Sequence, residues 1–138
     1  MAREIFVDTS GFFALLVQAD ESHPAAVGLL KKARQERRGF VTSDYVLDET
    51  ATLLKARGHG HLLGEFFGLL LSSRACRVEW MESVRFDSVR TFFLKHSDQS
   101  WSFTDCASFC LMKELDLSQA LTKDVHFAQA GFVPLLRG

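Results

Sequence analysis

Ile5-Phe6-Val7-Asp8-Thr9-Ser10 decides the fold. Three apolar, strand-favouring residues run directly into an acid and two hydroxyl side chains. An unbroken apolar run of this kind is the pattern of a strand buried on both faces, as in a parallel sheet. Thr9 and Ser10 supply helix-capping oxygens, and residues 11–17 follow as an apolar helix. Outward from this unit, helices and strands alternate. Pro24 suits the first turn of a second helix that extends to about residue 38, with Gly39 as its stop. Phe40-Val41-Thr42 is a second strand, and Ser43 or Asp44 caps a helix reaching Arg57. After a turn at Gly58-His59-Gly60, residues 61–72 form an apolar helix, 77–80 a third strand and 82–96 another helix. A polar loop over 97–101 precedes a helix opened by Ser102-Phe103-Thr104-Asp105 and continuing to about Glu114. Residues 119–122 are a fourth strand, Asp124 opens a short helix, and 132–135 form an edge strand where Pro134 is tolerable. The expected fold is α/β: a doubly wound central parallel sheet of four to five short strands flanked by helices, in one domain over residues 1–138.

Composition narrows the class. Hydrophobic residues make up 47% and charged residues 24%, the balance of a soluble globular protein. The formal net charge of -1 gives no global electrostatic support for nucleic-acid binding, so any basic track must be local. Lys31, Lys32, Arg34, Arg37 and Arg38, and separately Arg85, Arg90 and Lys95, form such clusters, which are either solvated helix faces or a track for a nucleic-acid backbone. The three cysteines, Cys76, Cys106 and Cys110, are too few for a disulfide framework or a zinc pattern and fit a reducing cytoplasm. The stretch Met1-Ala2-Arg3-Glu4 lacks signal-peptide character, and the most apolar segment, residues 66–71, falls far short of the about 20 residues that cross a bilayer. A cytoplasmic location and no membrane partner are expected. The 13 phenylalanines belong in the core or at a subunit interface, and the apolar helices over 11–17 and 61–72 exceed what one core absorbs, which suits a subunit or partner interface.

In doubly wound sheets, functional groups collect beyond the carboxyl ends of the strands. Asp8 lies just past the first strand and Asp124 just past the fourth, while Glu49 sits on the helix after the second and Asp105 at the start of a helix. Each has a local explanation too: Ser102-x-x-Asp105 is close to a capping box, Asp124 can be a helix cap, and Glu49 can be an exposed helix residue. Together they are far more specific. Four carboxylates crowded at one sheet end repel one another, and a hard divalent cation such as Mg²⁺ resolves the conflict while leaving room for a phosphate. One ion could activate water and a second, about 3.5–4 Å away, could stabilise the leaving oxygen.

Val7-Asp8-Thr9-Ser10, Val46-Leu47-Asp48-Glu49-Thr50, Ser102-Phe103-Thr104-Asp105-Cys106, Leu121-Thr122-Lys123-Asp124-Val125-His126-Phe127 and Ala130-Gly131-Phe132 together resemble a PIN domain, and in particular the small VapC-like PIN proteins of prokaryotic toxin–antitoxin systems. The resemblance covers essentially the whole chain. It implies a Mg²⁺- or Mn²⁺-dependent endoribonuclease acting on RNA, with Asp8, Glu49, Asp105 and Asp124 as metal-binding and catalytic acids. Thr9, Ser10, Thr104 and Thr122 would orient carboxylates or waters. It also implies a homodimer and a cognate antitoxin. Asp98 is a further candidate acid. Asp48 is the alternative to Glu49, since neighbouring helix positions point about 100° apart. Lys123 either meets a scissile phosphate or lies in solvent. His126 is expected to have a packing or surface role, because the family motif relies on oxygen ligands. The competing readings are an inactive PIN fold that binds RNA or protein, and a phosphoryl-transfer domain. The latter wants a second acid at position 9 or 10, where Thr9 and Ser10 stand.

Overall fold

The computed structural model describes residues 3–72 and 74–137. Met1 and Ala2, part of the N-terminal stretch discussed above, lie outside them. The chain order is β1 (Ile5–Val7), α1 (Thr9–Leu16), α2 (His23–Gln35), β2 (Phe40–Ser43), α3 (Asp44–Ala56), a 3-10 turn (Gly60–Leu62), α4 (Leu63–Ser72), β3 (Cys76–Glu79), α5 (Ser83–Lys95), α6 (Phe103–Glu114), β4 (Gln119–Leu121), α7 (Val125–Gln129) and β5 (Val133–Pro134). The five strands form one parallel sheet in the order β3-β2-β1-β4-β5. The expected α/β architecture is therefore the observed one.

β1 is central, and all three of its residues are buried. Its register places Phe6 opposite Val41 on one side and Ala120 on the other, and Val7 opposite Leu121. From β1 the chain builds outward through β2 to β3, then crosses to the other side of β1 for β4 and β5. The strand order thus reverses between β1 and β4, where doubly wound sheets open a crevice at their carboxyl ends. Because Val7 and Leu121 are paired, Asp8 and Thr122 emerge side by side at that crevice.

Helices α1 and α6 close against the sheet through Phe12, Phe13, Phe109, Leu111 and Met112. Edge-to-face contacts link Trp101 to Phe109 at 5.2 Å and Phe109 to Phe127 at 5.0 Å, joining α6 to α7. Gly11 lies where α1 meets β4: a Cβ there would sit 2.1 Å from the Leu121 carbonyl oxygen, so only hydrogen fits.

Local departures from the sequence expectations have physical causes. Helix α2 ends at Gln35, short of the expected residue 38, and Arg37 rather than Gly39 takes the left-handed conformation, with φ 56. The Arg38 N–H then returns to the Ala33 carbonyl, and its guanidinium reaches Gln119 Oε1 and the Arg3 carbonyl. That tertiary anchoring offsets the about 1–2 kcal/mol cost of a left-handed non-glycine residue. The helix expected over 61–72 begins as the 3-10 turn, because His59 and Leu62 bond back to Leu54 and His59. Surplus apolar surface lies on α4, at Phe67 and Leu69, and on and before α5, at Trp80, Val84, Phe86 and Leu94, while α1 is mostly buried.

Gly11→Ala should lower stability by about 2 kcal/mol or more, since backbone carbonyls of a central sheet cannot yield. Gly28→Ala, in α2 with open space at its Cβ position, should instead raise it by up to about 1 kcal/mol. Urea denaturation of both variants checks the pair.

Candidate metal centre

Asp8 follows the central strand and is 6% exposed. Its backbone carbonyl starts α1 by accepting the N–H groups of Gly11 and Phe12. Its side chain does no capping; Oδ2 accepts the Thr122 hydroxyl at 3.0 Å. The Thr122 oxygen is itself fixed by Ser10 Oγ at 3.0 Å and by the Asp124 N–H at 3.1 Å. Since the Thr122 proton goes to Asp8, the Ser10 hydroxyl donates to Thr122, and Ser10 Oγ accepts the Lys123 N–H at 3.0 Å. This chain of hydroxyls locks Asp8 to the segment that carries Asp124.

Asp105 stands in the first turn of α6 and completes a capping box with Ser102: the Asp105 N–H donates to Ser102 Oγ, and the Ser102 N–H to Asp105 Oδ2. Asp124 caps α7, its Oδ1 accepting the His126 N–H at 2.9 Å. The capping explanations therefore hold for both, but each engages only one carboxylate oxygen. The other, Oδ1 of Asp105 and Oδ2 of Asp124, meets no donor among the described residues. Ligand atoms of Asp105, Asp124 and His126 lie within 4.8 Å of one another. Glu49 is half-buried on α3 and has no hydrogen-bond partner among the described residues, whereas Asp48 beside it is exposed. A cleft of about 210 Å³ is lined by Asp8, Thr9, Ser10, Asp20, Glu49, Lys123 and Asp124, with Phe13, Leu53 and Arg57.

The remaining expected residues fall differently. The Thr9 hydroxyl lies 3.1 Å from that of Thr50 and not on a carboxylate. Among the described residues, the Thr104 hydroxyl meets no carboxylate, and its carbonyl accepts the Ser108 hydroxyl. Asp98 is exposed and does not line the cleft. Lys123 is held over the cleft by Asp20, 3.5 Å away. The structure adds three residues that the sequence pattern missed. Asp20 sat in what looked like a plain polar break. Arg57, at the end of α3, has its guanidinium 5.4 Å from the Phe13 ring. His126, expected to pack or face solvent, places Nδ1 2.9 Å from Asp105 Oδ2. Its two-residue spacing from Asp124 was the available signal.

Electrostatics shows what this arrangement can do. Burial pushes the Asp8 pKa up to about 7, and the nearby charges of Asp105 and Glu49 push the same way; the Thr9 N–H and the Thr122 hydroxyl oppose them only in part. No lysine or arginine forms an ion pair with Asp8, Glu49, Asp105 or Asp124 among the described residues. Carboxylates with no lysine or arginine ion pair among the described residues, on oxygens held by the protein and partly left open, fit a hard divalent cation.

The Asp8 shift has a definite sign in the metal-free protein. Between about pH 4 and 7 the folded state keeps a proton on Asp8 that the unfolded chain has released, so stability falls as pH rises through that window. The full effect is about 4 kcal/mol. Chemical denaturation across this range should show the decline, Asp8→Asn should flatten it, and a divalent ion should restore stability near and above pH 7.

Comparison with known proteins bears on this geometry. Residues 5–133 match the PIN domain family. The 23S rRNA-specific endonuclease VapC20 of Mycobacterium tuberculosis, in strains CDC 1551 / Oshkosh and ATCC 25618 / H37Rv, is 33% identical over 130 residues, which are 94% of this chain and 95% of that protein. The crystal structure of Mycobacterium tuberculosis VapC20, described as a Sarcin-Ricin loop cleaving toxin, matches with a TM-score of 0.81 at 30% identity, over 94% of this chain and 97% of that one. No helix among the described residues is long and apolar enough to cross a membrane. With the family matched over nearly its full length and the sheet, crevice and acids arranged as described, the chain belongs to the PIN domain family, in its VapC-like branch.

Proposed function

We propose that this protein is a divalent-metal-dependent endoribonuclease, the toxin of a toxin–antitoxin pair, and that it cuts a structured ribosomal RNA loop. What supports the metal-dependent part is the grouping of Asp8, Glu49 and Asp124 along one cleft, with Asp105 in ligand range of Asp124 and no lysine or arginine ion-paired to any of the four among the described residues. The ribosomal substrate comes from likeness to VapC20, which is named for 23S rRNA cleavage.

In this reading Asp8, Glu49, Asp105 and Asp124 hold Mg²⁺ or Mn²⁺. The bound ion supplies Lewis-acid stabilisation of the charge that builds on the phosphate oxygens. The protein's own groups do the rest. Thr122 and Ser10 fix Asp8, so the carboxylates need not reorganise when the phosphate arrives. Arg57 and Lys123, on the rim of the cleft, bring positive charge to an RNA backbone that the net charge of -1 would not attract. The reaction adds water across one P–O bond: the water oxygen bonds to phosphorus as the bond to the leaving oxygen breaks, and the proton lost by the water is balanced by one gained by the leaving oxygen. The exposed apolar residues on α4 and α5 provide the surface for a second copy and for an antitoxin.

An oligonucleotide carrying the sarcin–ricin loop, incubated with the protein and Mn²⁺, should be cut at a defined position, and chelation should stop the reaction. Asp8→Asn should reduce the rate at least about 100-fold, close to 3 kcal/mol of barrier. Equal cleavage by the wild-type and Asp8→Asn proteins would sink the metal centre. Tight RNA binding without cleavage would favour the inactive binding module.

A further inference from the structure

His126 has two separable roles in the structure. Its backbone N–H caps α7 on Asp124 Oδ1, a bond that any non-proline residue at this position keeps. Its ring bonds a different acid: Nδ1 lies 2.9 Å from Asp105 Oδ2 and 3.5 Å from Asp124 Oδ1, and Nε2 lies 3.3 Å from the Ser100 hydroxyl. A carboxylate accepts hydrogen bonds and does not donate them, so Nδ1 carries the proton in that contact. Nε2 faces the Ser100 hydroxyl, which can donate or accept, so both ring nitrogens have a partner. The pair is shielded, the Asp105 side chain being 13% and the His126 side chain 25% exposed.

The consequence falls on Asp105. Its Oδ2 receives two N–H donors, one from the Ser102 backbone at 3.1 Å and one from the imidazole. Together they hold the carboxylate plane and leave Oδ1 without a donor among the described residues. The Ser102 N–H alone would leave the carboxylate free to turn, because a single bond does not fix a plane. Direct ligation by the ring is the competing role, since its ligand atom lies within 4.8 Å of those of Asp105 and Asp124. Ligation through Nδ1, however, would remove the proton that binds Asp105.

We propose that His126 is a positioning residue, whose Nδ1–H fixes the Asp105 carboxylate so that Oδ1 is available to the divalent cation. This rests on the metal-dependent reading above. It adds a function for a side chain outside the four acids.

Two measurements test it. Long-range proton–nitrogen NMR of the wild-type protein at about pH 8, above the ordinary imidazole range, reads which ring nitrogen is protonated. A proton on Nδ1 of His126, both without metal and after Mg²⁺ is added, is the expected result. A bare Nδ1 in either state overturns the proposal. Calorimetric titration with Mn²⁺ reads affinity without any activity assay. His126→Ala should bind about 10- to 100-fold more weakly, the usual effect of losing a group that orients a ligand. His126→Asn, whose amide can place a donor near the Nδ1 position, should recover most of that loss. Equal binding by the wild-type and His126→Ala proteins overturns the positioning role alone, as does equal weakening in Ala and Asn. No Mn²⁺ binding by the wild-type protein overturns the metal centre itself, and this inference with it. Should His126→Ala fail to fold, the NMR result on the wild-type protein still decides.

Discussion

A carboxylate enclosed at the end of a central strand does not keep its charge without help, and Asp8 is such a group. Its pKa is raised to about 7, chiefly by burial and in smaller part by the charges of Asp105 and Glu49, against the pull of Thr9 and Thr122. The remainder of the site is arranged around this unresolved charge. The pairing of Val7 with Leu121 puts Thr122 beside Asp8, and Thr122 in turn receives the Asp124 N–H. One strand register thus couples two acids that stand more than a hundred positions apart in sequence. The site is a property of the β1/β4 pairing before it is a property of any single motif.

Helix caps are the second device. Asp105 and Asp124 are ordinary capping residues by geometry, and their local explanations are correct as far as they go. A cap, however, occupies one oxygen and leaves the other open. The protein uses the start of two helices to hold two carboxylates in place with half of their acceptor capacity unspent. Structural and functional explanations of these residues are therefore not alternatives. The bonds that begin α6 and α7 are the same bonds that orient the acids.

The fold was legible because β1 is an uninterrupted apolar run and because capping residues mark the starts of α3, α6 and α7. Positions where tertiary contacts override local preference were not legible. Arg37 adopts a left-handed conformation near an available glycine because Arg38 is anchored to Gln119, at the start of β4. The four acids could be picked out by their positions after strands and at helix starts. Asp20 and Arg57 could not, since Asp20 reaches the cleft through Lys123 and Arg57 through the face of Phe13, both contacts distant in sequence. His126 was visible through its spacing from Asp124, but its contact with Asp105, 21 positions away in sequence, was not. RNA as substrate came from family likeness, because a net charge of -1 does not suggest it.

The central claim is that carboxylates from four separate segments share one divalent cation at the β1/β4 crevice. A crystal grown with Mn²⁺ and examined by anomalous diffraction tests it most directly. An anomalous peak bounded by carboxylate oxygens of Asp8, Asp105 and Asp124, with Glu49 facing it, is the result this account predicts. A well-ordered crevice with no peak, or a peak bound only elsewhere on the protein, would contradict it.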